Sequence, residues 1–265
     1  MARIVLVTAG AGPGMGQAIC RAFVDSGDTV VLTSRQASRA EAAAAEIGGD
    51  GVGGTAVGLE LDVGDPAACA ALVEHIVGEF GQLDVICNHA AEAGSMGSVL
   101  DLTDGEWEAM VAVNLTGPIA LCRAALPGML DRGQGTIVNT LSTAALGGGS
   151  AGFSYTVVKH GLMGLTRQIA WNYAARGIRC NAVCPGLTLD APGQSTEEFV
   201  EGFIRPMAAT MPNPDTWDRI LKNVVLQHRP GRPDEVANLV HFLASDKASL
   251  INGAIIPVEG GMKAA

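Results

Sequence analysis

Seven short runs rich in β-branched residues, Ile4 to Thr8, Thr29 to Thr33, Thr55 to Leu61, Leu83 to Cys87, Thr136 to Leu141, Ile178 to Val183 and Ala254 to Val258, are spread along the chain. Longer Ala-rich or amphipathic stretches lie between them, among them 16–24, 39–47, 66–80, 155–175 and 234–244. Strand signals that alternate with helical periods predict a parallel sheet with helices packed on both faces, because parallel neighbours need a crossover that a helix supplies. The fold class expected is α/β, a Rossmann-type doubly wound parallel sheet. The 265 residues, 48% of them hydrophobic and only 17% charged, suffice for one large core, so residues 1–265 are read as a single domain. In such sheets ligands bind outside the carboxyl ends of the strands, which directs attention to the residues that follow each run.

One interval breaks the rhythm. Between Leu187 and Arg229 the pattern is wholly helical: Ser195 with Glu198 forms a capping-box signature, and Phe199, Phe203, Ile204 and Met207 recur on one face. After Pro212-Asn213-Pro214 a second helix is expected, capped by Asp215, with Trp217, Ile220, Leu221, Val224 and Val225 as its apolar side. Residues 187–229 are read as a helical lid over the substrate, and a packing or oligomer contact is the competing reading.

Composition narrows the functional classes. A formal net charge of −10 opposes a phosphate backbone as main partner, so nucleic acid is excluded. The six cysteines (Cys20, Cys69, Cys87, Cys122, Cys180, Cys184) form no paired framework and have no histidine partners at zinc spacing; they are expected to be buried and reduced, and no metal site is expected. No uninterrupted apolar run reaches the roughly 18 residues of a membrane span, and the amino terminus has no secretory pattern, so the expected setting is cytoplasmic with no membrane partner.

Directly after the first run comes Gly10-Ala11-Gly12-Pro13-Gly14-Met15-Gly16, opening the first helix. Glycines at a strand-to-helix turn let the backbone approach a pyrophosphate, whose charge meets the free amides of the helix start. By spacing, Gly10, Gly14 and Gly16 resemble the Gly-x-x-x-Gly-x-Gly loop of the classical short-chain dehydrogenases/reductases, with Ala9 where that family usually has Thr and with Pro13 removing one amide. The resemblance continues through Asp62-Val63, through Asn88-His89-Ala90-Ala91 in place of the usual Asn-Asn-Ala-Gly, and through Asn181 to Gly186. It ends with Gly231 to Ala237 and Val258 to Gly261.

The resemblance also spans a constellation with its own chemical logic. Ser142 is followed thirteen positions later by Tyr155 and four further on by Lys159; residues four apart share a helix face, so phenol and ammonium can line one cleft. An unperturbed phenol titrates near 10, and an ammonium about 4 Å away is worth on the order of 4 kcal/mol at an effective dielectric near 20, enough to lower it by about 2 to 3 units. Tyr155 is therefore the expected acid/base, Lys159 the group that tunes it, and Ser142 the group that orients the substrate oxygen. What the resemblance implies beyond this is a fourth member, Asn114, supporting a water relay to Lys159, and a nicotinamide cofactor. Its expected contacts are Gly10, Gly14, Met15, Gly16, Ser34, Arg35, Asp62, Val63, Asn88, Ala90, Tyr155, Lys159, Pro185, Gly186 and Thr188. Ser34-Arg35 at the end of the second strand, with Arg39 a turn later, favours NADP(H), with NAD(H) the alternative, because a guanidinium can fork onto a 2′-phosphate. His89 is read as structural. The expected activity is interconversion of a ketone and a secondary alcohol by hydride transfer on a small-molecule substrate, in a homotetramer by family likeness; the alternative is a catalytically silent cofactor-binding protein.

Overall fold

The computed structural model describes residues 2–48, 53–191, 193–208 and 229–263. Among them, seven strands form one sheet: β1 (Ile4–Val7), β2 (Thr29–Ser34), β3 (Thr55–Glu60), β4 (Val85–Asn88), β5 (Gly135–Thr140), β6 (Ile178–Pro185) and β7 (Ile255–Val258). They pair in the order β3-β2-β1-β4-β5-β6-β7, every pair parallel. The order reverses between β1 and β4, which leaves a crevice at their carboxyl ends where no crossover covers the sheet.

β1 shows why the sheet must be covered twice. Its four residues are buried, with Val5 and Val7 in one hydrophobic cluster and Ile4 and Leu6 in another. Successive side chains of a strand point to opposite faces, so a run with no polar alternate needs a helical layer on each. Helices α1 (Met15–Asp25) and α2 (Ala37–Gly48) cover one face. The other carries α3 (Pro66–Phe80), α5 (Gly117–Arg132) and α6 (Phe153–Tyr173); α4 (Asp104–Val111) packs against α6 and joins α5 through a π turn over Ala112–Thr116. The helical stretch 104–132 has the length and hydropathy of a membrane span, but half of that window is buried inside the fold, which accounts for its apolar composition.

Beyond β6, Ser195 caps a short helix α7 (Thr196–Phe199) through the capping box expected from the sequence, and Phe199 is buried. A π turn (Val200–Ile204) and α8 (Arg205–Ala208) continue it. The second expected lid helix, with Trp217 to Val225, lies outside the described residues. α9 (Pro233–Ala244) returns to the face of α1 and leads to β7. All six cysteines are free and buried, and no cluster of His, Cys, Asp or Glu among the described residues could hold a metal ion.

Candidate active site

The glycine loop is built for close approach. At Gly14 a side-chain carbon would come 2.7 Å from the carbonyl oxygen of Asp190, and at Gly16 2.5 Å from that of Ala9. Neither position admits another residue without moving backbone. Gly14 precedes α1 and no side chain caps the helix; of its first amides, that of Gln17 is met by the carbonyl of Gly12 at 3.0 Å. The departure at Ala9 has a backbone consequence: it sits at φ 54°, the left-handed region an alanine enters at a cost of about 1–2 kcal/mol. Thr33 Oγ1 accepts from its amide at 3.1 Å and helps hold it there. The threonine one position earlier serves elsewhere: Thr8 Oγ1 accepts from the amides of His89 and Ala90, both at 2.9 Å, fixing the turn after β4 against β1.

Beside this loop lies a pocket of about 190 Å³ lined by Ala9, Ala11, Gly12, Ser34, Arg35, Arg39, Asp62, Val63, Ala90 and Glu92, among others. Five expected cofactor contacts meet there: Ser34, Arg35, Asp62, Val63 and Ala90. Arg35, just after β2, and Arg39, in the first turn of α2, are both exposed and free to meet a charged ligand group, while Asp62 spends one carboxylate oxygen on the amide of Gly64. A glycine cradle that excludes side chains, an uncapped helix start and a mixed polar and apolar pocket at the strand-order reversal fit a dinucleotide. A larger pocket of about 340 Å³ borders Leu187 and Val258 to Met262, but two of its charged residues, Arg229 and Glu235, are paired with each other. The glycine-loop pocket is the better candidate.

The four expected catalytic residues arrive from three elements at the same edge. Ser142 follows β5 and accepts from the amide of Ala144. Tyr155 sits in the first turn of α6, and Lys159 one turn later is almost fully buried. Asn114 lies in the π turn after α4, fully buried, donating to the carbonyls of Glu92 at 3.0 Å and Met110 at 3.1 Å; its own carbonyl oxygen has no partner among the described residues. Such a single π turn inside a helix commonly marks a functional position.

The electrostatics differ from the tuning expected of the Tyr155–Lys159 pair. Burial pushes the Tyr155 phenol from its ordinary 10 up to about 12, against the lowering effect of a hydrogen bond with Ser142. Burial likewise pulls Lys159 down to about 8. The ammonium donates to the carbonyl of Thr140 at 3.0 Å and lies over the face of the Tyr155 ring, 5.2 Å from its centre. Burial is the largest cause of both shifts, and it keeps the phenol protonated. Its neighbour His89 is pushed down to about 4 by burial and by Lys159, hence neutral near pH 7, with its ring 3.4 Å from the Thr140 hydroxyl.

Two further expected contacts make hydrogen bonds within the fold. Asn88 is 2% exposed and donates to Asn139 at 2.8 Å, joining β4 to β5, while its side-chain oxygen has no partner among the described residues. Thr188 turns its hydroxyl back to the carbonyl of Gly186 at 3.2 Å. Pro185 ends β6 in the core, and Gly186 follows it with a side-chain carbon's place taken by Glu259. Thr8 and Thr140 were missed by the sequence reading: a threonine at a strand end gives no signal of which backbone group it will meet.

An open α/β sheet with a glycine cradle at its strand-order reversal and a Ser–Tyr–Lys cluster at the same edge defines a dinucleotide-dependent oxidoreductase class. Residues 10–263 match a family model described as enoyl-(acyl carrier protein) reductase. The D-threitol dehydrogenase of Mycolicibacterium smegmatis is 33% identical over 98% of this chain and 92% of its own. The 2-(S)-hydroxypropyl-CoM dehydrogenase 3 of Xanthobacter autotrophicus is 36% identical over 98% and 96%. A solved structure titled "Crystal structure of gox2181" superposes with a TM-score of 0.85 at 29% identity, covering 100% of this chain and 96% of that one. The chain belongs to the short-chain dehydrogenase/reductase family and is an oxidoreductase.

Proposed function

We propose that the protein interconverts a small secondary alcohol and its ketone, with Tyr155 as the acid/base. The observation that carries this reading is geometric: Ser142 just after β5 and Tyr155 in the first turn of α6 share an edge with Lys159, whose ammonium lies 5.2 Å from the centre of the Tyr155 ring and donates to the Thr140 carbonyl. When bound, the nicotinamide supplies or accepts the hydride. Ser142 orients the substrate oxygen, and Tyr155 gives that oxygen its proton in reduction or takes it in oxidation. Lys159, kept in place by Thr140, provides positive charge beside the phenolate and would hold the ribose of a bound nicotinamide; Asn114 holds the segment beginning at Glu92 and offers an unpaired buried oxygen suited to an ordered water. Relatives whose names specify a substrate include dehydrogenases of threitol, butanediol and hydroxypropyl-CoM, which supports a small hydroxylated substrate.

Tyr155→Phe removes only the proton donor. Turnover is expected to fall by roughly 10²- to 10⁴-fold with cofactor affinity retained, read by nicotinamide absorbance across a panel of alcohols and ketones. Near wild-type turnover would overturn the assignment. NADP(H) is the proposed cofactor over NAD(H), supported by exposed Arg35 and Arg39 on the pocket wall with no acidic side chain at the end of β2. Loss of a charge-assisted contact costs roughly 1.5–3 kcal/mol, so Arg35→Ala should weaken NADPH by about ten- to a hundredfold and leave NADH unchanged. Tighter binding of NADH to the unaltered protein would reverse the preference.

The proposed assembly is a homotetramer. Supporting it, α6 presents Phe153, Val157 and the 85% exposed Trp171 on one face, with Gly164 between them meeting no neighbour.

A further inference from the structure

A carboxylate outside the Ser142–Tyr155–Lys159–Asn114 group is wired directly to the element that carries the phenol. Glu106, on α4, accepts from the hydroxyl of Ser154 at 2.8 Å, from the amide of Ser95 at 3.2 Å and from the hydroxyl of Ser95 at 3.0–3.1 Å. Ser154 is 1% exposed and immediately precedes Tyr155 in the first turn of α6. The hydrogen bond from Ser154, ahead of those from Ser95, holds the Glu106 carboxyl below its usual range, so it is ionised at neutral pH.

The segment between these contacts is pinned along its length. Asn114 grips it at the Glu92 carbonyl, Glu106 at Ser95, and the amide of Phe153 donates to the Gly97 carbonyl at 3.1 Å. Its approach to α6 is close enough that a side chain at Gly152 would overlap the Ser95 carbonyl. Gly94 takes φ 64° within this turn, where an added carbon would meet Glu106, Met110 and Ser154 at 3.0–3.1 Å. Glu106 and Met110, four apart on one face of α4, thus clamp residues 92–97 against the start of α6.

We infer that Glu106 is a positioning residue for Tyr155: through Ser154 and Ser95 its carboxylate fixes the first turn of α6, and with it where the phenol stands relative to Ser142 and Lys159. This rests on the reading of Tyr155 as the acid/base. A phenol misplaced by a fraction of an ångström loses proton-transfer geometry, whereas the glycine-loop pocket shares only Glu92 with the clamped segment and takes most of its lining from the ends of β1, β2 and β3.

The test uses Glu106→Gln, Ser154→Ala and their combination in the full-length protein. Because the chain has only two tyrosines, a Tyr173→Phe background labelled with 3-fluorotyrosine leaves Tyr155 as the single ¹⁹F signal. Glu106→Gln is expected to lower kcat roughly ten- to a hundredfold, with KM and dinucleotide affinity little changed. The Tyr155 ¹⁹F titration should move down, toward that of an unburied phenol. Ser154→Ala should act in the same direction, and the double variant should be no worse than Glu106→Gln alone. An unmoved ¹⁹F titration, or a fall in kcat that tracks only a loss of melting temperature, would overturn the inference. If the unaltered protein turns over no alcohol or ketone, the acid/base reading fails, while the ¹⁹F titration still decides whether Glu106 places Tyr155.

Discussion

At the scale of single residues, burial decides more than charge pairing. Lys159 is almost fully buried with one hydrogen-bond acceptor, and its folded pKa is about 8 against an ordinary 10.5. Between those values the unfolded chain binds the proton and the folded one does not, so this residue's contribution makes stability rise with pH from about 8 to 10.5. Below pH 8 the full cost of burying the charge is present, on the order of 3 kcal/mol for a shift of this size. Lys159→Met should remove that slope. Urea midpoints taken for both proteins from pH 7.5 to 10 measure it as a difference, which also cancels the opposing slope from the buried thiols. A gap between the two that stays constant with pH would show that Lys159 keeps an ordinary pKa. This residue-scale balance was invisible in the spacing of Tyr155 and Lys159. Four residues on a helix dictate a shared face, but the distance of the ammonium from the phenol oxygen, and the dryness around both, depend on Thr140 and on β5 and β6.

At the scale of elements, local signals were legible wherever the chain satisfies its own ends. The expected helix over 66–80 is observed at those bounds because Asp65 caps it, accepting from the amides of Ala67 at 2.8 Å and Ala68 at 3.3 Å, and because Pro66 starts it and Gly81 ends it in the left-handed conformation. Asp65→Ala should cost about 1 kcal/mol in chemical denaturation and leave cofactor affinity little changed, since no residue of α3 lines the glycine-loop pocket; a large loss of affinity would mean that the cap also holds Asp62 and Val63 in place. The seven strand runs were located to within one or two residues. The stretch from Asp104 to Arg132 shows no clear amphipathic period in the sequence, although Thr103 caps it with Asp104 and Glu106 in its first turn. Its interior is apolar on several faces and carries Pro127, which blurs the amphipathic period. The blurred period hid the π turn around Asn114 and the clamp formed by Glu106.

At the scale of the whole molecule, the alternation of β-branched runs and helical periods determined the class of fold. A strand apolar on both faces can be satisfied only by two helical layers, and parallel neighbours only by crossovers. The glycine spacing and the order Ser142, Tyr155, Lys159 were legible for the same reason: turn geometry and helix periodicity are local rules that one sequence carries in full. The tertiary structure decided what depends on residues far apart in the chain. It placed Asn88 in the sheet core through Asn139, 51 positions away, and sent the Thr8 hydroxyl to the turn after β4, 81 and 82 positions on. It also brought Ser154 to Glu106 across 48 residues. Hydrogen-bond partners and desolvation are set by what the folded chain packs together, and no spacing rule encodes a neighbour that arrives from another element.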